Sequence, residues 1–163
     1  MKMDIEKIFD DIVTLVREQL NTEIELINAE KDDTLKLETI TDKAHFFSSL
    51  PQAAFNYTHF LVFSFSNNPT VESQQGDNNI KAINLTFEVV AQDKGQSYDR
   101  NLIKRLMRYS TALENIFLKN QGRVMQGYGK LEVTALVPSG LFAVDGKYIR
   151  SAGVSVTARI TAR

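Results

Sequence analysis

The stretch Ile80-Lys81-Ala82-Ile83-Asn84-Leu85-Thr86-Phe87-Glu88-Val89-Val90-Ala91 decides the fold. Ile83, Leu85, Phe87, Val89 and Ala91 alternate with Asn84, Thr86, Glu88 and Val90, and a period of two gathers such residues onto one face only in an extended strand. One face of that strand is expected to be buried and the other largely wet, as in an antiparallel sheet covered on one side.

Upstream, Tyr57 to Phe65 carries a second strand signal. Tyr57, His59, Leu61, Phe63 and Phe65 project to one side and Thr58, Phe60, Val62 and Ser64 to the other, so this strand is apolar on both faces in its middle. Between the two lies the polar tract 66–79, with Pro69, Gly76 and five asparagines or aspartates, which reads as a long exposed hairpin loop. Further back, Ile24 and Leu26 alternate with Glu23 and Glu25, and Leu35 and Leu37 with Lys36 and Glu38. These suggest two short strands around a turn at 28–33. Residues 43–56 read either as a connecting helix broken at Pro51 or as an irregular hydrophobic loop.

Two segments have helical periodicity instead. In residues 4–20, Ile5, Ile8, Phe9, Ile12, Val16 and Leu20 recur every three or four positions, with Asp4 placed to cap the first turn. Over residues 98–119, with Ser97 as a cap, the predicted core stripe is Leu102, Ile103, Leu106, Met107, Ser110, Leu113, Ile116 and Phe117. Asn120-Gln121-Gly122 is the expected stop. Arg100, Lys104 and Arg108 stand four apart on this helix and form a basic ridge, joined at its edge by Arg105. Downstream, Leu131–Val137 and Gly153–Ile160 alternate again, separated by the Leu141–Arg150 stretch with its Asp145-Gly146 turn.

Strands before a helix and strands after it define an α+β fold rather than a run of β-α-β units. The expectation is one domain over 1–163: a mixed or antiparallel sheet of about four to five strands, with two main amphipathic helices packed on one face.

Composition narrows the chemistry. The chain has no cysteine, so disulfides, thiolate catalysis and cysteine-ligated metals are excluded. His45 and His59 lack the His-Glu-x-x-His spacing of a metallohydrolase and read as structural or solvated. No serine sits in a Gly-x-Ser-x-Gly elbow. Gly127-Tyr128-Gly129 lacks the lysine and following helix of a phosphate loop, and no carboxylate pair is placed to converge on a substrate. No catalytic, cofactor-binding or metal-ligating residue is therefore expected. With no apolar run long enough to cross a bilayer as a helix and no secretory signal at Met1–Glu6, the expectation is cytoplasmic synthesis without a membrane role.

Charge is unevenly placed: residues 1–50 hold 12 acidic and 6 basic side chains, residues 94–163 hold 12 basic and 4 acidic. Two electrically distinct faces follow if the segments stay apart, and cancellation if the fold interleaves them. Two readings of the ridge Arg100, Lys104, Arg105 and Arg108 stand side by side: a phosphate-neutralising surface, or the solvated or subunit-facing side of a helix. Likewise Leu141, Phe142, Val144, Tyr148 and Ile149 either dock onto a neighbouring subunit or cover the edge of their own sheet.

The ordering of these elements resembles that of the tail terminator, or tail completion, proteins of long-tailed bacteriophages. The likeness runs through helix 4–20, strand 57–65, the loop 66–79, the strand ending in Ala91-Gln92-Asp93, the helix from Tyr98 to Lys119 and the last strand pair around Leu141–Arg150. The resemblance implies a non-enzymatic virion protein at the tail–neck junction, made in the host cytoplasm. It implies a homo-oligomeric ring, commonly a hexamer, that caps the tail tube and joins it to the neck or head connector while DNA passes through the lumen. It would place Arg100, Lys104, Arg105 and Arg108 as candidate lumen residues. Loop 66–79 and segment 141–150 would be candidate axial or intersubunit contacts. The alternatives are another neck or connector component, or a nucleic-acid-binding module using the basic helix face.

Overall fold

The computed structural model describes residues 5–47, 52–65, 70–75, 78–93, 98–124, 129–136, 138–140, 142–144 and 146–162. Two helices, α1 (Ile5–Glu30) and α2 (Tyr98–Val124), accompany seven strands: β1 (His45–Phe47), β2 (His59–Phe65), β3 (Thr70–Gln75), β4 (Asn78–Asp93), β5 (Gly129–Leu136), β6 (Phe142–Val144) and β7 (Lys147–Ala162). The fold is α+β, as the alternation predicts.

The decisive stretch lies in β4, which runs 16 residues and pairs antiparallel with the equally long β7, from Asn79 opposite Ala162 to Asp93 opposite Tyr148. This ribbon is the spine of the sheet, whose order is β1-β2-β4-β7-β5. On one side of it β2 pairs with the later half of β4 and β3 with the earlier half. On the other, β5 and β6 share β7. Among the described residues only β1 runs parallel to its neighbour, with His45 beside Leu61, so the sheet is mixed.

Alternation then sorts the faces. Leu61, Phe63, Leu85, Phe87, Val89, Val154 and Val156 share one face and are buried there. α2 lies across β4, β7 and β5 on that face, and Phe87 meets Phe117 of α2 at a ring-centroid distance of 5.4 Å and Phe63 of β2 at 5.3 Å. α1 runs beside α2: Lys119 pairs with Glu23 at 2.6 Å, and Gln19 and Asn120 exchange side-chain hydrogen bonds. One core cluster joins α1, α2 and the sheet.

At Gly153 the ribbon is unusually close. A Cβ added there would lie 1.8 Å from the Phe87 carbonyl oxygen, so no side chain fits. The Gly153 carbonyl in turn accepts a 2.6 Å hydrogen bond from Ser110 Oγ, fastening α2 to β7 at the same point.

Several expectations are corrected. The alternation at 22–26 belongs to α1, which continues to Glu30: Leu20, Ile24 and Ile27 keep the helical spacing and are buried, while Leu26 is 52% exposed. Residues 34–41 form no strand but a strap along α1. Asn21 and Asn28, two turns apart, each clamp it with two bonds, donating to the Ile40 and Leu37 carbonyls and accepting from the same residues' amides at 2.7–2.9 Å. In segment 43–56 the described residues form two 3-10 turns, Asp42–Ala44 and Gln52–Asn56, on either side of β1; Pro51 lies outside the described residues. The tract 66–79 is not one loop, since Thr70–Gln75 is strand β3, in register with β4 from Thr70 opposite Ala82 to Gln75 opposite Asn78. α2 passes through Gly122 to Val124, and β7 starts at Lys147, well before Gly153. In α2 the buried stripe includes Tyr109, whereas Met107 is 56% exposed. The proposed caps Asp4 and Ser97 lie outside the described residues.

Candidate functional site

Where β2 starts, β4 ends and β7 starts, the 3-10 turn Gln52–Asn56 folds over the sheet and leaves a cleft of about 390 Å³, lined in part by Phe55, Tyr57, Thr58, Asp93 and Lys147. Its floor is rigid. Gln92 is buried, its side-chain amide donates to the Tyr57 carbonyl at 3.0 Å, and its backbone amide donates to the Thr58 carbonyl at 2.9 Å. Lys147 Nζ donates to the Phe55 carbonyl at 3.2 Å, tying β7 to the 3-10 turn. Asp93 faces Arg105 of α2 at 3.5 Å.

Behind the cleft stands a polar cluster around Glu38 of the strap. Its carboxylate accepts from Thr58 Oγ1 at 3.0 Å and lies 3.2 Å from His59 Nδ1, and its carbonyl accepts from the Tyr109 hydroxyl at 2.7 Å. Hydroxyl, imidazole and carboxylate are together here, yet they do not make a nucleophilic triad. Such a triad needs the imidazole to link hydroxyl and carboxylate through its two nitrogens. Here Thr58 and Glu38 both meet Nδ1, and Nε2 is buried with no hydrogen-bond partner. Burial lowers the His59 pKa, with Glu38 opposing and Arg105 assisting the shift, so the ring is neutral at pH 7. Burial also pushes the Tyr109 phenol far up, assisted by Glu38, which leaves it a hydrogen-bond donor and never an anion. Among the described residues no three His, Asp or Glu side chains gather as a metal site.

The predicted basic ridge is divided by the fold. Arg108 turns to the strap, where its guanidinium pairs with both carboxylate oxygens of Asp33 and donates to the Leu35 carbonyl. That hydrogen bonding holds the Asp33 carboxyl below its usual range. Arg105 is directed to Asp93, while Lys104 is exposed. Arg100 lies in the first turn of α2, with its side chain outside the described residues. The acidic amino-terminal region and the basic carboxy-terminal one therefore interleave, through Asp33 with Arg108 and Glu23 with Lys119. Tyr109, near the ridge in sequence, is in the core and offers no stacking platform.

Within segment 141–150 the described residues pair back onto their own sheet. β6 pairs with the start of β7, Val144 opposite Lys147, through a tight connection in which Gly146 has φ 72°, a conformation favoured by glycine. Ile149 is buried in the core cluster, Tyr148 is half-buried, and Leu141 lies outside the described residues, as do the side chains of Phe142 and Val144.

Sequence reading missed the surface opposite the helices. Ser64, Thr86, Ser155 and Thr134 lie directly beside one another on β2, β4, β7 and β5, a row of hydroxyls across four strands. Next to it Thr157 donates to Asn84 at 2.8 Å, and Arg159 pairs with Glu132. This half of the face is polar and at least partly exposed, whereas its other half is apolar: Phe60 is fully buried under Phe46 and Phe55, at 5.8 and 6.1 Å. The signal was available in the alternation, because registering the strands lines up residues that are separate in sequence.

No protein-family model matches the chain, and no curated protein matches it.

Proposed function

We propose that this chain is a structural subunit of a bacteriophage tail: a terminator that assembles as a ring, caps the tail tube and joins it to the neck. The observation that carries the reading is the asymmetry of the sheet. One face is sealed by α1 and α2, while half of the other presents the row Ser64, Thr86, Ser155 and Thr134. Among the described residues the edge strands β1 and β5 each pair on one side only. A subunit needs surfaces that add nothing to its own core and remain for neighbours, and a polar sheet face and open strand edges are such surfaces. The resemblance of the element order read from the sequence to that of tail terminators suggests the kind of assembly. Repeating one modest contact around a closed ring gives a selective interface without a large contact in any one copy.

The lumen reading of the basic ridge is narrowed by the same geometry. With Arg105 and Arg108 engaged inside the molecule, Lys104 is the exposed member among the described side chains, and DNA would meet a weakly charged wall. The test is native mass measurement together with electron microscopy of the protein mixed with tail tube protein. A closed oligomer that sits at tube ends and limits their length is the expected result. A persistent monomer that leaves tube length unchanged overturns the proposal, and binding to the head connector without length control assigns the chain to the neck instead.

A further inference from the structure

His45 and His59 are both buried on the helix-facing side of the sheet, each with an Nε2 that has no hydrogen-bond partner. Their surroundings differ in one respect that matters. His59 has the Glu38 carboxylate at 3.2 Å, with Asp93 and Arg105 acting on it from further off and the Tyr109 ring at 5.5 Å. An imidazolium at that position keeps an anionic partner. His45 has a cation instead: Arg17 Nε of α1 donates to His45 Nδ1 at 3.3 Å, and the same guanidinium lies over the Phe47 ring at 5.7 Å. Asp42, in the preceding 3-10 turn, is the carboxylate that acts on His45, and the edge of the Phe63 ring closes the β2 side at 5.8 Å.

Because Nδ1 accepts from Arg17, the neutral ring carries its proton on Nε2, inside the core. A second proton must go to Nδ1. There it removes the acceptor of the Arg17 bond and sets two cations against each other, while the desolvated ring takes up a charge.

The strand that holds His45 is also short. β1 has three residues, pairs with β2 alone among the described residues, and is otherwise held by Phe47, stacked on Phe63 at 4.9 Å and against Phe9 of α1 at 6.3 Å, and by Phe46, which meets Phe60 at 5.8 Å and Tyr57 at 6.2 Å. We propose that β1 is an acid-released clamp: protonation of His45 frees this strand from β2 and loosens the adjoining part of α1, baring the edge of β2 for pairing with another strand. The inference is independent of the tail-terminator reading. Burial, then Arg17, lowers the His45 pKa against the opposing pull of Asp42, so the folded protein holds the ring neutral. An unfolded histidine is half protonated near pH 6.5. The contribution is therefore fully present above that pH and is lost as pH falls through the lower folded value.

Amide exchange followed by NMR on the full chain, at pH 7.5 and pH 5, tests this. Protection of the amides in β1 is expected to fall by about tenfold or more on acidification, a change of about 1.4 kcal/mol in local opening, while the paired amides of β4 and β7 keep theirs. The loss should follow the C2–H titration of His45, vanish in His45→Gln and persist in His59→Gln. If His45→Gln fails to fold, the coincidence of the two midpoints in the unsubstituted protein decides. Protection that holds at pH 5, a loss spread equally over β4, one that follows His59 or one that survives His45→Gln overturns the clamp.

Discussion

The two faces of the β4–β7 ribbon are built from the same backbone, yet they are committed to different ends. Toward the helices, Leu85, Phe87, Val89, Val154 and Val156 are buried, and each forfeits stability if its volume changes. On the opposite face, Asn84, Thr86, Ser155 and Thr157 remain half-exposed, and Thr157 donates to Asn84. The difference teaches that strict alternation lets one strand turn a buried row toward the helices and a polar, partly exposed row away from them. Substitutions should therefore differ in their cost to stability according to the face on which they fall.

The largest effect should come where the two faces cannot be told apart, at Gly153, because any Cβ there strikes the β4 backbone whichever way it points. Gly153→Val is expected to cost more than about 4 kcal/mol, or to prevent folding, as read by urea denaturation. Next, on the helix side, Phe87→Ala removes a ring that touches both Phe63 and Phe117 and should cost about 3–5 kcal/mol in the same measurement. Asn21→Ala removes both clamps on Ile40 and leaves that residue's backbone groups without these partners; a loss of about 2 kcal/mol, with faster amide exchange over 38–41, is expected. Smallest of all, Ser155→Ala on the open face should shift monomer stability by no more than about 0.5 kcal/mol. If the open face serves assembly, a bulky Ser155→Arg should abolish the oligomer in native mass spectra while leaving the fold's circular dichroism intact. Stability losses as large for Ser155→Ala as for Phe87→Ala would erase the distinction between the faces.

How far the sequence could be read follows the same physics. The strands at 57–65 and 80–91 were legible because alternation over many residues admits one periodicity. Glu23-Ile24-Glu25-Leu26 is too short for that: its pattern fits a strand, and only the continuation Leu20, Ile24, Ile27 shows that the helix goes on. β3 left no trace because Ser73, Gln74 and Gln75 offer no apolar face, and what defines the strand is backbone pairing with β4. Tyr109 could have been placed, since Leu102, Leu106, Tyr109, Leu113 and Ile116 step by four and three in turn. The site was less legible than the fold. Arg108 with Asp33, Glu38 with His59 and Arg17 with His45 are partners distant in the chain, and no local pattern announces them. The hydroxyl row is of the same kind, invisible until register aligns four strands.

The central joint of the sheet has a kinetic corollary. From Asp93 with Tyr148 to Asn79 with Ala162, every pair that joins β4 to β7 spans a segment containing all of α2 and β5. Closing so large a loop costs entropy before any contact repays it, so the spine of the finished molecule should be among its slower parts to form. Until it does, the long edges of both strands stand open to a second unfinished chain, and refolding yield should fall with protein concentration.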